Sequence, residues 1–200
     1  MIYVSCELWA PVRRFDVYDY VRGLELSVYT QEEDEKILLG RYHAELLLLS
    51  EAESDGMSLH EVCDTHSGDM EHLYCSLFEP KDEEFQPELE LDEFTDSVLF
   101  LWDSVLHPKL KAYEAGILET VGTLFGNEAV LVLHRDTTSL TDKELTHSGF
   151  AKITGTNYIF RHTAVLSPFN QEYPQGVDVP LKFTASKDDE RWVRMRLSEQ

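Results

Sequence analysis

The segment 107–116, His-Pro-Lys-Leu-Lys-Ala-Tyr-Glu-Ala-Gly, joins an apolar stretch of the chain to a long helical pattern. The apolar residues 97–106 before it carry hydrophobic side chains on both faces, which predicts a strand in the middle of a sheet. Pro108 suits the first turn of a helix, and the helical pattern ends at Gly126 and Asn127. Backbone N–H groups at such a helix start attract anions. This junction of strand and helix therefore decides the predicted fold and marks the first candidate site.

Short strands and one short helix are predicted after the long helix. Strand patterns cover residues 129–134, 151–153 and 158–162. Residues 141–145 have the pattern of a capped helix, which ends at the Ser-Gly-Phe of residues 148–150. The last part of the chain, 167–200, holds several prolines and then a mixed-charge end, so we expect an extension that wraps the surface.

An antiparallel meander is predicted at the start of the chain. Its strand patterns cover residues 1–9, 24–30 and 37–50, the last one bent at Gly40. The charged residues 31–35 predict the hairpin turn between the second and third of these strands. The apolar run at the end of the third strand predicts a place between two neighbours in the sheet.

Residues 58–78 have helical spacing of their apolar side chains. Ser58 and Glu61 predict a capping box at the start of this helix, and Gly68 divides it. Residues 79–96 are acidic and marked by proline, and we expect them to form a mobile connection or a contact surface.

The order of strand, segment 107–116, long helix, strand, short helix, Gly-Phe and strand resembles the second half of the GNAT superfamily of N-acetyltransferases. The meander and helix before it are compatible with the first half of that fold, so the resemblance covers about residues 1–163. It implies an α/β protein of the α+β kind, with a mixed, mostly antiparallel central sheet flanked by helices. We expect one such domain over residues 1–166, with the acidic residues 79–96 as an insertion or connection. Residues 131–133 match the family's strand that splays from its neighbour to admit the pantetheine arm of the cofactor.

The resemblance also implies where a cofactor would bind. Family members carry a loop of the form Arg/Gln-x-x-Gly-x-Gly/Ala, whose backbone amides hold the pyrophosphate of coenzyme A. The corresponding positions here are Lys111, Ala112, Glu114, Ala115 and Gly116. Glu114 replaces the central glycine, and its negative charge opposes a phosphate. An intact loop implies acetyl-CoA as cofactor, whereas a disabled loop implies none.

Candidate catalytic residues follow from the same resemblance. Family members often use a glutamate of the strand before the loop as a base through water, and Asp103 is the nearest match. They often use a tyrosine as acid at the position that Leu145 occupies here, and His147 and Tyr113 are the nearest substitutes. Asp103 is equally consistent with an ordinary polar residue near a strand end.

The net charge of −21 is concentrated in the first half of the chain. Residues 51–100 hold sixteen acidic residues against a single base, Lys81. Such a surface disfavours direct binding to nucleic acids or anionic membranes and favours a basic protein partner. Solubility alone is the other explanation for this charge.

The cysteines and histidines give little support for a metal site or a disulfide framework. Three cysteines are an odd number, which favours free thiols in a cytoplasmic protein, and the first residues lack the pattern of a secretion signal. Cys63, His66, His72 and Cys75 have zinc-like spacing, but on one continuous helix they would not converge, and only a break at Gly68 would bring the two pairs together. We therefore predict no metal.

The sequence leaves three functions open. The first is a GNAT-like acidic protein that acts by binding a basic partner through residues 51–100, as an inhibitor or as a decoy for nucleic acid. The second is an active acetyl-CoA-dependent N-acyltransferase with an atypical loop. The third is a scaffold or oligomerisation domain, with a homodimer as one option.

Overall fold

The computed structural model describes residues 1–9, 17–32, 35–91, 95–126, 129–163 and 183–200. These residues form a mixed α+β fold, with a single open sheet of seven strands in the order β1-β2-β3-β4-β5-β7-β6. The strands are Ile2–Leu8 (β1), Val21–Glu32 (β2), Glu35–Leu48 (β3), Ser97–Leu106 (β4), Ala129–His134 (β5), Ala151–Lys152 (β6) and Tyr158–His162 (β7). Neighbouring strands are antiparallel except for β4 and β5, which are parallel. The predicted fold class is confirmed.

Six α-helices and several short 3₁₀ helices surround the sheet within the described residues. The α-helices are Leu49–Ser54 (α1), Leu59–His66 (α2), Gly68–Leu77 (α3), Glu114–Leu124 (α4), Asp142–His147 (α5) and Lys187–Leu197 (α6). The 3₁₀ helices are Val17–Tyr20, Pro87–Leu89, Pro108–Tyr113 and Arg135–Thr137. None of the described helices is both long and apolar enough to cross a bilayer.

Two hydrophobic cores lie on opposite faces of the sheet, because successive strand side chains point to opposite sides. Leu24, Leu26 and Val28 of β2 belong to the core that α4 and α5 cover. Leu47 of β3 and Phe100 of β4 belong to the other core, which α1, α2 and α3 cover. Both cores meet at β4 and β5, whose apolar side chains are buried on each face. The prediction of a central strand at 97–106 is confirmed.

Gly40 marks an irregularity in the pairing of β2 with β3. Val28 pairs with Gly40 and Tyr29 with Leu38, so Leu39 is an extra residue in β3. A Cβ atom on Gly40 would lie 2.5 Å from Leu106 Cδ2 and 3.0 Å from the backbone oxygen of Val105. The predicted bend at Gly40 is therefore a bulge at which β4 approaches too closely for a side chain.

Two local predictions differ from the structure. The strand predicted over 37–50 ends at Leu48, because the N–H groups of Leu49 and Ser50 bond to the carbonyl of Asp96 as α1 begins. An apolar run alone does not distinguish the end of a buried strand from the start of a buried helix. The helix predicted from Pro108 starts as a 3₁₀ helix and becomes α-helical only at Glu114.

The acidic connection contacts Phe78 and the start of α2 within residues 79–91, and its role as a mobile segment or a contact surface stays a prediction. Phe85 forms a β-bridge with Phe78, and their rings stack 4.6 Å apart. Glu83 bonds to the start of α2, where its carboxylate accepts from Ser58 Oγ and from the N–H of Leu59. Residues 92–94 of this connection lie outside the described residues, as do residues 33–34 of the predicted hairpin turn.

The end of the chain forms α6, which packs beside β3 and β4. Ser186 and Asp189 form its capping box, and Val193 is fully buried. Much of the predicted extension, residues 167–182, lies outside the described residues.

Candidate functional site

A cleft opens where β4 and β5 part. The two strands pair in parallel from Ser97 with Ala129 to Leu101 with Leu133. Beyond this point β4 continues to Leu106, whereas the chain leaves β5 at His134 and turns into a 3₁₀ helix. The cleft between them has a volume of about 380 Å³. Its walls are Ser104, Leu106, His107, Pro108, Lys111, Glu114, Asp136, Thr137, Thr138 and Ser139.

Glu114, the first residue of α4, lies at the floor of this cleft and is only 1% exposed. Its carboxylate accepts the backbone N–H of Ser139, at 3.1 Å from Oε1 and 3.2 Å from Oε2. The Ser139 hydroxyl donates to the same carboxylate. A negative charge at the first turn of α4 also interacts favourably with the helix dipole. The position that the GNAT resemblance assigns to a phosphate-contacting glycine thus holds an internal anion.

The backbone amides of segment 107–116 are largely used within the chain. The Lys109 N–H donates to Nδ1 of His107, and the Leu110 N–H donates to the His107 carbonyl. The Glu114 N–H donates to the Lys111 carbonyl, as the 3₁₀ turn passes into α4. These N–H groups could bind a pyrophosphate only if the hydrogen bonds of this helix start were broken.

The C-terminal helix α6 contacts the same segment from outside the cleft. Asp189 accepts from Lys109 Nζ at 2.7 Å and lies 3.4 Å from His107 Nε2. The ring of Trp192 packs edge-on against His107, with centroids 5.1 Å apart. Burial lowers the pKa of His107, an effect that Asp189 opposes and Lys109 reinforces. The lowered pKa favours the neutral form of the His107 imidazole at pH 7. Lys109 is held by its ion pair with Asp189 rather than facing a ligand.

The charges on the cleft wall do not fit the pyrophosphate of acetyl-CoA. Glu114 and Asp136 are negative, and Lys111 is the one positive side chain among the wall residues when His107 is neutral. Lys111 also lies close to Glu144 of α5, since its charge adds to hydrogen bonds from Thr141 in lowering the pKa of Glu144. A polyanion would enter a cleft with more negative than positive charge.

The sequence-predicted cofactor positions are divided between the cleft and the surface of α4. Lys111 and Glu114 line the cleft, whereas Ala112, Ala115 and Gly116 do not. A Cβ atom added to Gly116 would have no neighbour within 4 Å, so packing within the described residues does not require glycine there.

The three predicted catalytic residues lie in three separate places, and none lines the cleft. Asp103 pairs with His43 across β3 and β4, on the sheet face opposite to that of Ser104. Tyr113 packs edge-on against Phe183, with ring centroids 5.3 Å apart. His147 is exposed at the end of α5. Their catalytic roles stay predictions.

The cysteines and histidines with zinc-like spacing are not brought together. Cys63 of α2 is buried, whereas Cys75 of α3 is exposed. His66 bonds to Glu45 at 2.9 Å, and His72 bonds to the Tyr158 hydroxyl at 3.2 Å. Within the described ranges, no three His, Cys, Asp or Glu side chains form a group that could hold a metal ion.

Sequence reasoning missed Ser139 and Asp189. Ser139 binds Glu114 from a loop with no recognisable motif, so no local pattern could have revealed it. The Ser-x-x-Asp pattern of residues 186–189 does signal a helix start and could have located α6. Comparison with protein-family models, curated proteins and solved structures finds no match to this chain.

Proposed function

We propose that this protein acts by binding a basic protein surface through its acidic helical layer, as an inhibitor or as a decoy for nucleic acid. The observation that carries the proposal is the exposure of Glu61, Asp64, Asp69 and Glu71 on α2 and α3. No lysine or arginine of the described residues pairs with these four carboxylates. They are available to a cationic partner.

The surroundings of this layer add to its negative potential. Lys81, the one basic residue of 51–100, lies 3.9 Å from Asp82, and its side chain is 89% exposed. An exposed pair at that distance contributes little binding energy within the chain. A field of one sign steers an oppositely charged partner and is screened by salt.

We further infer that the chain is a GNAT-like protein in which acetyl transfer is lost. The parallel pairing of β4 with β5 within a mostly antiparallel sheet, and the end of β5 before that of β4, support the resemblance. The buried carboxylate of Glu114 and the occupied amides beside it support the loss. The three cysteines are free thiols, which supports action in the cytoplasm.

The test is capture of partners at two salt concentrations with matched charge variants. A triple variant, Asp64→Asn, Asp69→Asn and Glu71→Gln, removes three of these four exposed charges from α2 and α3. We expect it to lose a partner that the unchanged protein captures at about 50 mM salt and releases at about 500 mM.

The matched control removes three exposed charges elsewhere. Glu7→Gln, Glu119→Gln and Asp188→Asn change the net charge equally but lie on β1, α4 and α6. Equal loss of capture in both variants would show that the partner is attracted by the net charge and not by the acidic layer. Capture that survives high salt would count against recognition by the acidic layer.

Acyl transfer is the second candidate, and the cleft between the end of β4, segment 107–116 and residues 136–139 is the observation that favours it. Calorimetric titration with acetyl-CoA distinguishes acyl transfer from a function by protein binding alone. Micromolar binding by the unchanged protein would overturn the inferred loss of the cofactor. We expect no heat of binding for this protein and measurable binding for Glu114→Gly, which removes the internal anion.

A further inference from the structure

β1 is an edge strand of the sheet, and exposed apolar side chains are concentrated on it and beside it. The opposite edge strand, β6, has only two residues, whereas β1 has seven and contains neither lysine nor proline. Among the described residues, four of the seven exposed large apolar side chains lie within residues 1–9: Met1, Tyr3, Leu8 and Trp9. Proteins usually shorten or charge such an edge, because it is a template for another strand. β1 therefore has the features of a pairing surface.

The pairing of β1 with β2 determines which backbone groups of β1 face outwards. The Trp9 N–H donates to the Gly23 carbonyl at 3.3 Å, which continues the register of the β1–β2 ladder by one residue. Hydrogen-bonded and non-hydrogen-bonded pairs alternate along an antiparallel ladder. The odd-numbered residues of β1 therefore bond to β2, and the N–H and C=O groups of the even-numbered residues point away from the sheet. None of the described residues bonds to these outward groups.

The two faces of β1 carry different side chains. One face continues the core that α4 covers, through Ile2, Val4, Cys6 and Leu8. The other face carries Tyr3, Ser5 and Glu7, and Tyr3 stacks on Tyr29 of β2 with ring centroids 5.6 Å apart. Glu7 is the one charged side chain of β1. A strand that pairs with this edge must offer an apolar row on one face and no negative charge opposite Glu7.

We propose that β1 pairs antiparallel with β1 of a second copy of this chain, about a two-fold axis through Ser5, so that the two sheets become one continuous sheet. In this register Ile2 lies opposite Leu8 of the second copy, and Val4 lies opposite Cys6. These are the residues whose backbone groups point outwards, and each such pair exchanges two hydrogen bonds.

A second copy fits this edge because β1 is complementary to itself in this register. Tyr3 lies opposite Glu7 of the second copy, so like charges do not meet. Met1 lies opposite Trp9, and a methionine sulfur beside an aromatic ring is a favourable contact. The same register pairs all of residues 1–9. This inference does not depend on the proposed basic partner.

The experiment is sedimentation velocity of the full chain at about 1–200 µM in low and in moderate salt. We expect a monomer–dimer equilibrium with a dissociation constant on the order of tens of micromolar, because the edge is short. The net charge of −21 on each copy opposes association, so the dimer fraction should be larger at about 300 mM than at about 50 mM sodium chloride. A chain that stays monomeric at about 200 µM would overturn the proposal and leave the edge to a strand of another protein. Species larger than a dimer would also contradict it, because a two-fold contact closes on itself.

Cys6→Pro tests the outward backbone groups. Proline removes the N–H of residue 6, which has no partner among the described residues, and proline is tolerated at such a position of an edge strand. Each dimer loses two hydrogen bonds, so we expect dimerisation to weaken by about tenfold or more. A circular dichroism melt checks that the variant folds. Cys6→Ala is the matched control, because it removes the same side chain and keeps the N–H; equal weakening in both variants would contradict pairing through the backbone.

Val4→Cys tests the register and does not depend on proline. Opposite residues of a hydrogen-bonded pair have Cα atoms about 5.5 Å apart, which suits a disulfide. In a Cys75→Ser background, which removes an exposed thiol of α3, we expect oxidation with copper phenanthroline to cross-link Val4→Cys to Cys6 of the second copy. Adding Cys6→Ser should abolish the cross-link. A Val4→Cys dimer that does not cross-link, or one that still does so with Cys6→Ser, would refute the axis at Ser5.

Discussion

Glu114 shows how one side chain changes what a helix start can bind. The first turn of α4 offers a positive dipole end, and this chain fills it with a carboxylate that is 1% exposed. Ser139 supplies the donors that hold that carboxylate. Gly40 and Glu83 also occupy positions that tolerate few replacements. Gly40 has no space for a side chain, and the Glu83 carboxylate accepts hydrogen bonds at the start of α2.

Gly40→Ala should lower the free energy of unfolding by about 1–3 kcal/mol, because its Cβ would meet the backbone of β4 as well as Leu106. Gly116→Ala is the matched comparison, since a Cβ there has no neighbour within 4 Å. In the first turns of α4 we expect alanine to raise stability by about 0.5–1 kcal/mol. Urea unfolding of the two variants measures both effects. Equal changes in the two would show that the close approach at Gly40 costs nothing.

Glu83→Ala should lower the unfolding free energy by about 1 kcal/mol at pH 7, as expected for the loss of a helix-start carboxylate. Burial alone would raise the pKa of Glu83, but hydrogen bonds from Ser58, Leu59 and His60 lower it below its usual 4.5. The folded protein thus holds the proton more weakly than the unfolded chain does. The contribution is complete above pH 4.5 and is lost as the pH falls through the lowered pKa.

Glu84→Ala is the control for this prediction, because the neighbouring carboxylate is exposed. Urea unfolding monitored by tryptophan fluorescence from pH 3 to pH 7 measures the difference between the variants. A gap between Glu83→Ala and the unchanged protein that stays constant below pH 4.5 would refute the titration of Glu83.

At the scale of elements, α6 is joined to segment 107–116 by a small set of polar and aromatic contacts. Asp189 serves two elements at once, because it caps α6 and accepts from Lys109. Trp192 adds its ring to His107. The start of the long helix is therefore held from the cleft side by Ser139 and from the outer side by α6.

Asp189→Ala should loosen α6, with a loss of about 1–2 kcal/mol from the cap and the partly buried ion pair together. Asp188→Ala is the neighbouring control, since the Asp188 side chain is 85% exposed and, among the described residues, forms an ion pair only with the exposed Arg191. Trypsin cleavage after the arginines of α6 should become faster in Asp189→Ala and stay unchanged in Asp188→Ala. Unchanged cleavage in both variants would show that α6 is held by other contacts.

Element patterns in the sequence predicted most of the sheet and its helices. The strands over 97–106 and 129–134 were recognisable from unbroken apolar runs, and the split at Gly68 from its position between two helical patterns. The 3₁₀ form of residues 108–113 was not recognisable, because the start of a 3₁₀ helix and the start of an α-helix have the same sequence pattern. The site was predictable only in part: Glu114 stood out against a family pattern, whereas its hydrogen-bond partner Ser139 comes from a loop that no local pattern joins to it.

At the scale of the whole molecule, charge is distributed unequally between the two faces of the sheet. The acidic helices α2 and α3 cover one face, and the cleft with its buried carboxylate opens beside the other core. A net charge of −21 on 200 residues opposes compaction through self-repulsion.

Added salt should therefore stabilise the fold. We expect the Tm to rise by several degrees between about 20 mM and 300 mM sodium chloride at pH 7, because screening weakens repulsion among exposed carboxylates. Differential scanning fluorimetry measures the change. A falling Tm would show that the ion pairs, such as Lys109 with Asp189, outweigh the repulsion.

The pairing of β3 with β4 has a consequence for how the chain reaches its native state. β2 and β3 are adjacent in sequence and pair along nearly their whole length, so this hairpin can form early and locally. Leu48 of β3, however, pairs with Ser97 of β4, and the whole of α1, α2 and α3 lies between them. Closing so long a loop costs conformational entropy before the pairing of β3 with β4 can stabilise the chain. We therefore expect the pairing of β3 with β4, and with it the cleft, to form later in folding than the β2–β3 hairpin.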